Sequence, residues 1–160
     1  MESCEHLYVY SLVEDYLKYV SQETMFEAPP SRAAEVLRKI APSLQEEVEK
    51  KLELLWDSVE ITSVDKASKI FNKVMEEEFS DGNTNWGRIV TIFLFGGILA
   101  KKLQKQGVVL TKENTREISH FIADYIINTK AKWIHENGGW VSNSYAQILF
   151  NTIISLVRKY

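Results

Sequence analysis

Asn85-Trp86-Gly87-Arg88-Ile89-Val90-Thr91-Ile92-Phe93-Leu94-Phe95-Gly96-Gly97-Ile98-Leu99-Ala100 is the most apolar run of this chain. Beyond Arg88 only Thr91 and two glycines interrupt it, so a helix built from it is hydrophobic on every side. Such a helix is either a membrane span or the centre of a bundle. The apolar part, Ile89 to Leu99 before Lys101-Lys102, falls short of the ~20 residues that crossing a bilayer requires. A buried central helix wrapped by others is the reading that fits. Arg88 stands at its mouth and cannot lose its charge, so it needs water, a carboxylate or a partner. Asn85 can cap the first turn, and Gly87 leaves room for close approach.

The rest of the chain reads as helices around that centre. Leu7, Tyr8, Ser11, Leu12, Tyr16, Tyr19 and Val20 recur at helical spacing between Ser3 and Gln22. Pro29-Pro30 marks a loop, and Ser31 is a candidate N-cap for a helix over Arg32 to Ala41. Pro42 is expected to bend or restart the chain. Leu44, Val48, Leu52 and Leu55 then form one apolar stripe on a highly charged helix. Thr62-Ser63-Val64-Asp65 opens a further helix to about Phe79, carrying Ile70, Phe71, Val74 and Met75. The central helix ends near Gln106 with Gly107 as C-cap. Thr111 caps a helix through about Asn128, Lys130 to Asn137 makes a short one, and a last helix spans Tyr145 to Lys159. No strand alternation is convincing, so the fold class is all-α.

Composition narrows function further. With 160 residues, 45% hydrophobic and 26% charged, the chain is a single domain (1–160) with an ordinary globular balance. A net charge of −3 gives no electrostatic reason to expect nucleic acid. One cysteine, Cys4, excludes an intrachain disulfide and suits a reducing compartment. The acidic N-terminus has no apolar run and does not read as a signal peptide. His6, His120 and His135 are far apart and lack an acid pair, a metal-ligand cluster or a phosphate loop, so neither catalysis, metal nor cofactor is expected.

Arg88, Thr91 and Phe95 lie at i, i+3 and i+7 and share one face. Leu44, Val48, Leu52, Leu55, Val74 and Met75 can form two walls beside it. Together they would make an apolar groove with a cation on its edge, suited to an amphipathic helix carrying a carboxylate. Core stripes and groove stripes have the same periodicity, so spacing alone fits a closed core equally well. Glu76-Glu77-Glu78 sits at a helix C-terminus, where the macrodipole disfavours anions. It reads either as a solvated acidic face or, at Glu78, as an attractor of a basic residue on the partner.

Phe79-x-x-Gly82-x-x-Asn85-Trp86-Gly87-Arg88-Ile89-Val90 resembles the first homology region of the Bcl-2 family of apoptosis regulators. Trp133-Ile-His-Glu-Asn-Gly138-Gly139-Trp140 resembles the second, and Leu12-Val-Glu-Asp-Tyr-Leu17 a weak fourth. Val48-Glu-Lys-Lys-Leu52 and the run from Asn85 to Phe93 are most similar to the short Bfl branch, on the pro-survival side. The resemblance implies a bundle of about eight helices around a central hairpin. It also implies a groove that captures the BH3 helix of pro-apoptotic relatives. There Arg88 would pair with the peptide's aspartate, Asn85 and Gly87 would allow close approach, and Val48, Leu52, Val74, Met75 and Phe95 would line pockets.

Two departures matter. The third homology region expects a small residue followed by aspartate, where this chain has Ala41-Pro42-Ser43, which argues against a BH3 donor. After Trp140 the segment 144–159 is interrupted by Gln147, Asn151, Thr152 and Ser155, and its thirteen residues Tyr145 to Val157 are too few to span a bilayer. That helix can lie on a membrane surface or fold back onto the groove, the plainer reading being that it packs on the bundle. The expected role is anti-apoptotic: to sequester BH3 helices and restrain mitochondrial outer-membrane permeabilisation. The place is the cytoplasm, in association with the mitochondrial outer membrane. The alternative is a pro-apoptotic membrane-permeabilising effector of the same fold.

Overall fold

Four helices begin where a short polar side chain turns back onto the backbone. Ser31, Ser63, Asn85 and Thr111 each accept a hydrogen bond from the amide three residues on, at 2.9–3.2 Å. These caps satisfy donors that a helix start leaves orphaned. The computed structural model describes residues 4–21 and 28–140. They form five helices and no strand: α1 Cys4–Ser21, α2 Arg32–Trp56, α3 Val64–Glu78, α4 Trp86–Lys105 and α5 Lys112–Glu136. The helix expected over 144–159 lies outside the described residues. Gly107 follows α4 with φ of 91°, the left-handed turn its position requires.

The central run is the axis of the bundle. Ile89, Val90 and every residue from Ile92 to Ala100 are buried, and α1, α2, α3 and α5 all pack on α4. Gly96 faces Ile122 of α5, whereas Gly97 faces Tyr16 of α1 and Gln45 of α2. The Tyr16 hydroxyl donates to Gln45 Oε1 at 2.6 Å in this buried seam. Trp86 packs edge-on against Trp133 and Trp140, with ring centroids 5.1 and 5.8 Å apart. The two sequence motifs that contain these tryptophans therefore meet in one aromatic cluster.

Three local expectations differ from the structure. Pro42 neither breaks nor restarts a helix, because α2 runs through it. Its ring removes one backbone hydrogen bond, a cost of about 3 kcal/mol in an isolated helix. Burial of Ala34, Leu37, Ala41 and Leu44 on both sides of it offsets that cost. Arg38 of the same turn is clamped to Asp15 of α1 at 2.6 and 3.0 Å. Likewise α5 continues through Lys130 to Glu136 as one helix, since Ile126, Lys130 and Ile134 stay on one buried face. In α1 the buried face is Val9, Leu12, Val13, Tyr16 and Leu17, and Leu7 is 53% exposed. That helix packs on three neighbours, so its apolar arc is turned from the one its aromatic residues suggested.

Candidate functional site

The residues expected to form the site lie on α4, α2 and α3. Both α2 and α3 pack on α4, and among the described helices they do not pack on each other. Helices α2 and α3 thus meet α4 separately. Val48 and Leu52 of α2 and Val74 of α3 are half-buried, so each offers apolar surface while remaining anchored. Leu44, Met75 and Phe95 are fully within the core. The Leu55 side chain lies outside the described residues. Phe95 meets Trp56 edge-on at 5.9 Å and Phe71 at 6.3 Å, which fixes the floor. A hollow of about 420 Å³ lies against Lys73, Val74, Glu77 and Glu78. A larger cleft of about 610 Å³ between the C-terminal halves of α2 and α4 is rimmed by Glu49, Glu53, Lys101 and Lys105 and does not include Arg88.

At the head of α4, Asn85 accepts the amide of Arg88 at 2.9 Å and sets the first turn. Asn85 is exposed, whereas Gly87, expected to leave room for close approach, is buried. The Thr91 hydroxyl turns back to donate to the Gly87 carbonyl at 3.0 Å. The guanidinium of Arg88 is only 11% exposed. Its Nη1 and Nη2 donate to Oδ1 and Oδ2 of Asp81, both at 2.7 Å. Nη1 also donates to the carbonyls of Asn83 at 3.0 Å and Glu78 at 3.2 Å. This two-pronged fit is the geometry that distinguishes arginine from lysine. The Arg88 guanidinium, helped by the Asn83 amide, holds the Asp81 carboxyl well below the usual carboxylate range.

Sequence reasoning looked for the carboxylate of Arg88 on another molecule, and the structure supplies one from its own chain first. The signal was present: Asp81 stands in the six-residue turn Ser80 to Asn85, short enough to fold back on Arg88. Lys130 was missed as well. It is 8% exposed, and its ammonium lies 3.5 Å from the centroid of Phe79, the residue that ends α3. No spacing rule could have joined it to Arg88. Burial, and then the charge of Arg88, push its pKa down. His6 and His135 bridge α1 to α5 through Asp124 and Glu5, both at 2.7 Å. Among the described residues no group of His, Cys, Asp and Glu is placed to hold a metal ion.

The family model of apoptosis regulator proteins, Bcl-2 family, matches residues 37–140, the part that carries the expected wall residues, Arg88 and the tryptophan cluster. The chain belongs to the Bcl-2 family. It is 47% identical over 140 residues to Bcl-2-related protein A1 of Bos taurus, covering 88% of this chain and 80% of that one. It is 31% identical over 116 residues to the apoptosis regulator BAX of the same species, covering 71% of this chain and 55% of BAX. The likeness to A1 agrees with the Bfl branch read from the motifs. The fold is similar to that of the zebrafish pro-survival protein NRZ, with 33% identity. Its complex with the Bad BH3 superposes with a TM-score of 0.68 over 84% of this chain and 88% of NRZ. The NRZ-apo structure gives 0.71 over 92% and 94%. Bcl-2 membership thus places the all-helical fold among apoptosis regulators, and no helix among the described residues is long and apolar enough to cross a membrane.

Proposed function

We propose that this Bcl-2 protein is an anti-apoptotic regulator, acting as one domain over residues 1–160, that sequesters BH3 helices of pro-apoptotic relatives without catalysis. In this reading it restrains permeabilisation of the mitochondrial outer membrane from the cytoplasm and from that membrane's surface. The observation that carries it is Arg88, nearly buried and held in a fixed fork at the N-terminus of α4, on which pack α2 with half-buried Val48 and Leu52 and α3 with half-buried Val74. A partner's aspartate would share or replace Asp81 at the guanidinium. Its apolar residues would press against Val48, Leu52 and Val74, above the buried Leu44, Met75 and Phe95. Asn85, Gly87 and Thr91 would border the same point, and Glu78 would face a basic residue of the ligand. Similarity to NRZ, solved with a Bad BH3, supports this choice of ligand.

The test is a titration of full-length protein with a Bad BH3 peptide. Arg88→Ala should weaken binding by at least tenfold, because truncating one member of a desolvated charge pair costs ~2–5 kcal/mol. Unchanged affinity would remove the charge pair from the reading. The 31% identity to BAX favours a second reading, a membrane-permeabilising effector. Release of dye from liposomes, triggered by BH3 peptide, would select the effector; inhibition of such release by this protein would select the proposal above.

A further inference from the structure

The cleft between the C-terminal halves of α2 and α4 has one buried charge in its lining, Lys102. Its volume of about 610 Å³ lies within the ~300–1,000 Å³ usual for small-molecule sites. Lys102 is 5% exposed, and its ammonium donates to the Trp56 carbonyl at 2.9 Å. Trp56 is the last residue of α2, a helix with no basic residue in its own last turn, so this bond satisfies an orphaned helix end. The cap uses one of three ammonium donors. Among the described residues no carboxylate pairs with the nitrogen and no second acceptor takes its remaining protons. A buried ammonium left in that condition is costly unless something else completes it.

The rest of the lining suits a ligand with an apolar body. Ile98 and half-buried Trp56 offer an aliphatic and an aromatic surface, and the indole is braced edge-on by Phe95 at 5.9 Å. Acids and lysines are equal in number around the cleft, so no net field repels an anion. Glu49 is already engaged, by Gln45 at 3.1 Å and by Lys101 at 3.7 Å. Glu46, Lys50, Glu53, Asp57, Lys101 and Lys105 are all exposed, where water and salt screen them. The buried ammonium is screened far less, and it decides the sign of the preferred ligand. A second negative charge on that ligand would meet the acids of α2 at the rim. We propose that this cleft is a ligand site apart from Arg88, which takes a small monoanion with an aromatic body, its carboxylate on Lys102 and its ring on Trp56. The BH3-binding reading is not needed for it, since neither Arg88 nor Val74 lines the cleft.

The test titrates the full chain with 2-naphthoate and with 2-naphthamide, the same ring without the charge. The four indole N–H signals are followed by NMR, with Trp56→Phe to assign the one that matters. Naphthoate should move the Trp56 signal saturably and leave those of Trp86, Trp133 and Trp140 in place. The amide should bind at least fivefold more weakly, as expected when a hydrogen bond to a charged group is lost. Lys102→Met should bring the two probes within about twofold of each other, whereas Lys102→Arg should keep the preference for the acid. Arg88→Ala should bind naphthoate as wild type does; a loss there would put the probe at Arg88 and overturn the proposal. Equal affinity of wild type for acid and amide would overturn it, as would shifts confined to the other indoles. Both of these outcomes are read on the wild-type chain, so they decide even where Lys102→Met fails to fold.

Discussion

Gly96 and Gly97 are neighbours in one helix, yet alanine should be tolerated at the first and destabilising at the second. In either case the substitution favours the helix by ~1 kcal/mol, since glycine is the poorer helix former. A methyl on Gly96 would stand 2.5 Å from Cδ1 of Ile122, the free end of a flexible side chain. Moving that end aside costs ~0.5–1.5 kcal/mol, so Gly96→Ala should be neutral to within ~1 kcal/mol. A methyl on Gly97 would run into Gln45 Oε1 and stand 3.1 Å from the Tyr16 ring. Gln45 cannot withdraw freely. Its Oε1 accepts the Tyr16 hydroxyl at 2.6 Å, its Nε2 donates to Glu49 at 3.1 Å, and both it and Tyr16 are buried. Overpacking (~1–3 kcal/mol) and a stranded polar group (~1–3 kcal/mol) then exceed the gain in propensity. The net cost is about 1–5 kcal/mol, centred on ~3, a fall of about 1–2 M in the urea midpoint followed by circular dichroism. The same movement would pull α2 from α4 one turn before Val48, so binding of a BH3 peptide should weaken as well. Equal midpoints for the two variants would refute this account of the seam.

Two further outcomes concern the charges at the head of α4. Asp81 has its folded pKa held below the ordinary ~3.9, so its stabilising contribution is present above that value and is lost only as pH falls through the folded one. Asp81→Asn should therefore melt lower than wild type at pH 7 and still at pH 4, the gap closing in stronger acid; a gap already closed at pH 4 would contradict the pairing. Lys130 has its folded pKa pushed down, so the unfolded chain holds that proton more tightly and wild-type stability rises relative to Lys130→Met as pH climbs toward ~10. Melting curves from pH 7 to 10 that keep a constant separation would show that burial and Arg88 do not act on this amine.

The parts of the fold that depend on local chemistry were legible in the residues. Ser31, Ser63, Asn85 and Thr111 announce their helices because a capping oxygen needs nothing beyond its own turn. The apolar run after Arg88 declares a central helix because no other place in a globular chain of this length tolerates it. Pro42 misled because its cost is local while its compensation is tertiary, from the packing of Leu37 and Leu44 and the clamp of Arg38 on Asp15. The groove residues divide for a similar reason. Val48 and Val74 keep exposed surface while Leu44 and Met75 lose theirs, and a one-dimensional stripe has no term for that difference. Asp81 could be suspected from the shortness of its turn, but Lys130 meets Phe79 only because α5 packs on α3, a tertiary contact that no spacing announces.

The internal pair also bears on what the arginine can contribute to recognition. Arg88 is obligately charged and 11% exposed, so an empty groove without Asp81 would leave a poorly hydrated cation unpaired. Asp81 prevents that, and at 46% exposure it can return to water with little loss when another carboxylate arrives. Exchange of one carboxylate for another at the same fork conserves the two charge-assisted hydrogen bonds. It therefore adds little net affinity, however costly the removal of Arg88 proves to be. On the proposed reading, apolar contact along Val48, Leu52 and Val74 would supply most of the binding energy, while the fork would fix the register of the incoming helix. A ligand lacking the carboxylate would keep the apolar contacts and lose the register, because Asp81 would still occupy Arg88. The internal pair thus sets the reference against which every partner competes, and an acidic residue on the ligand selects register more than affinity.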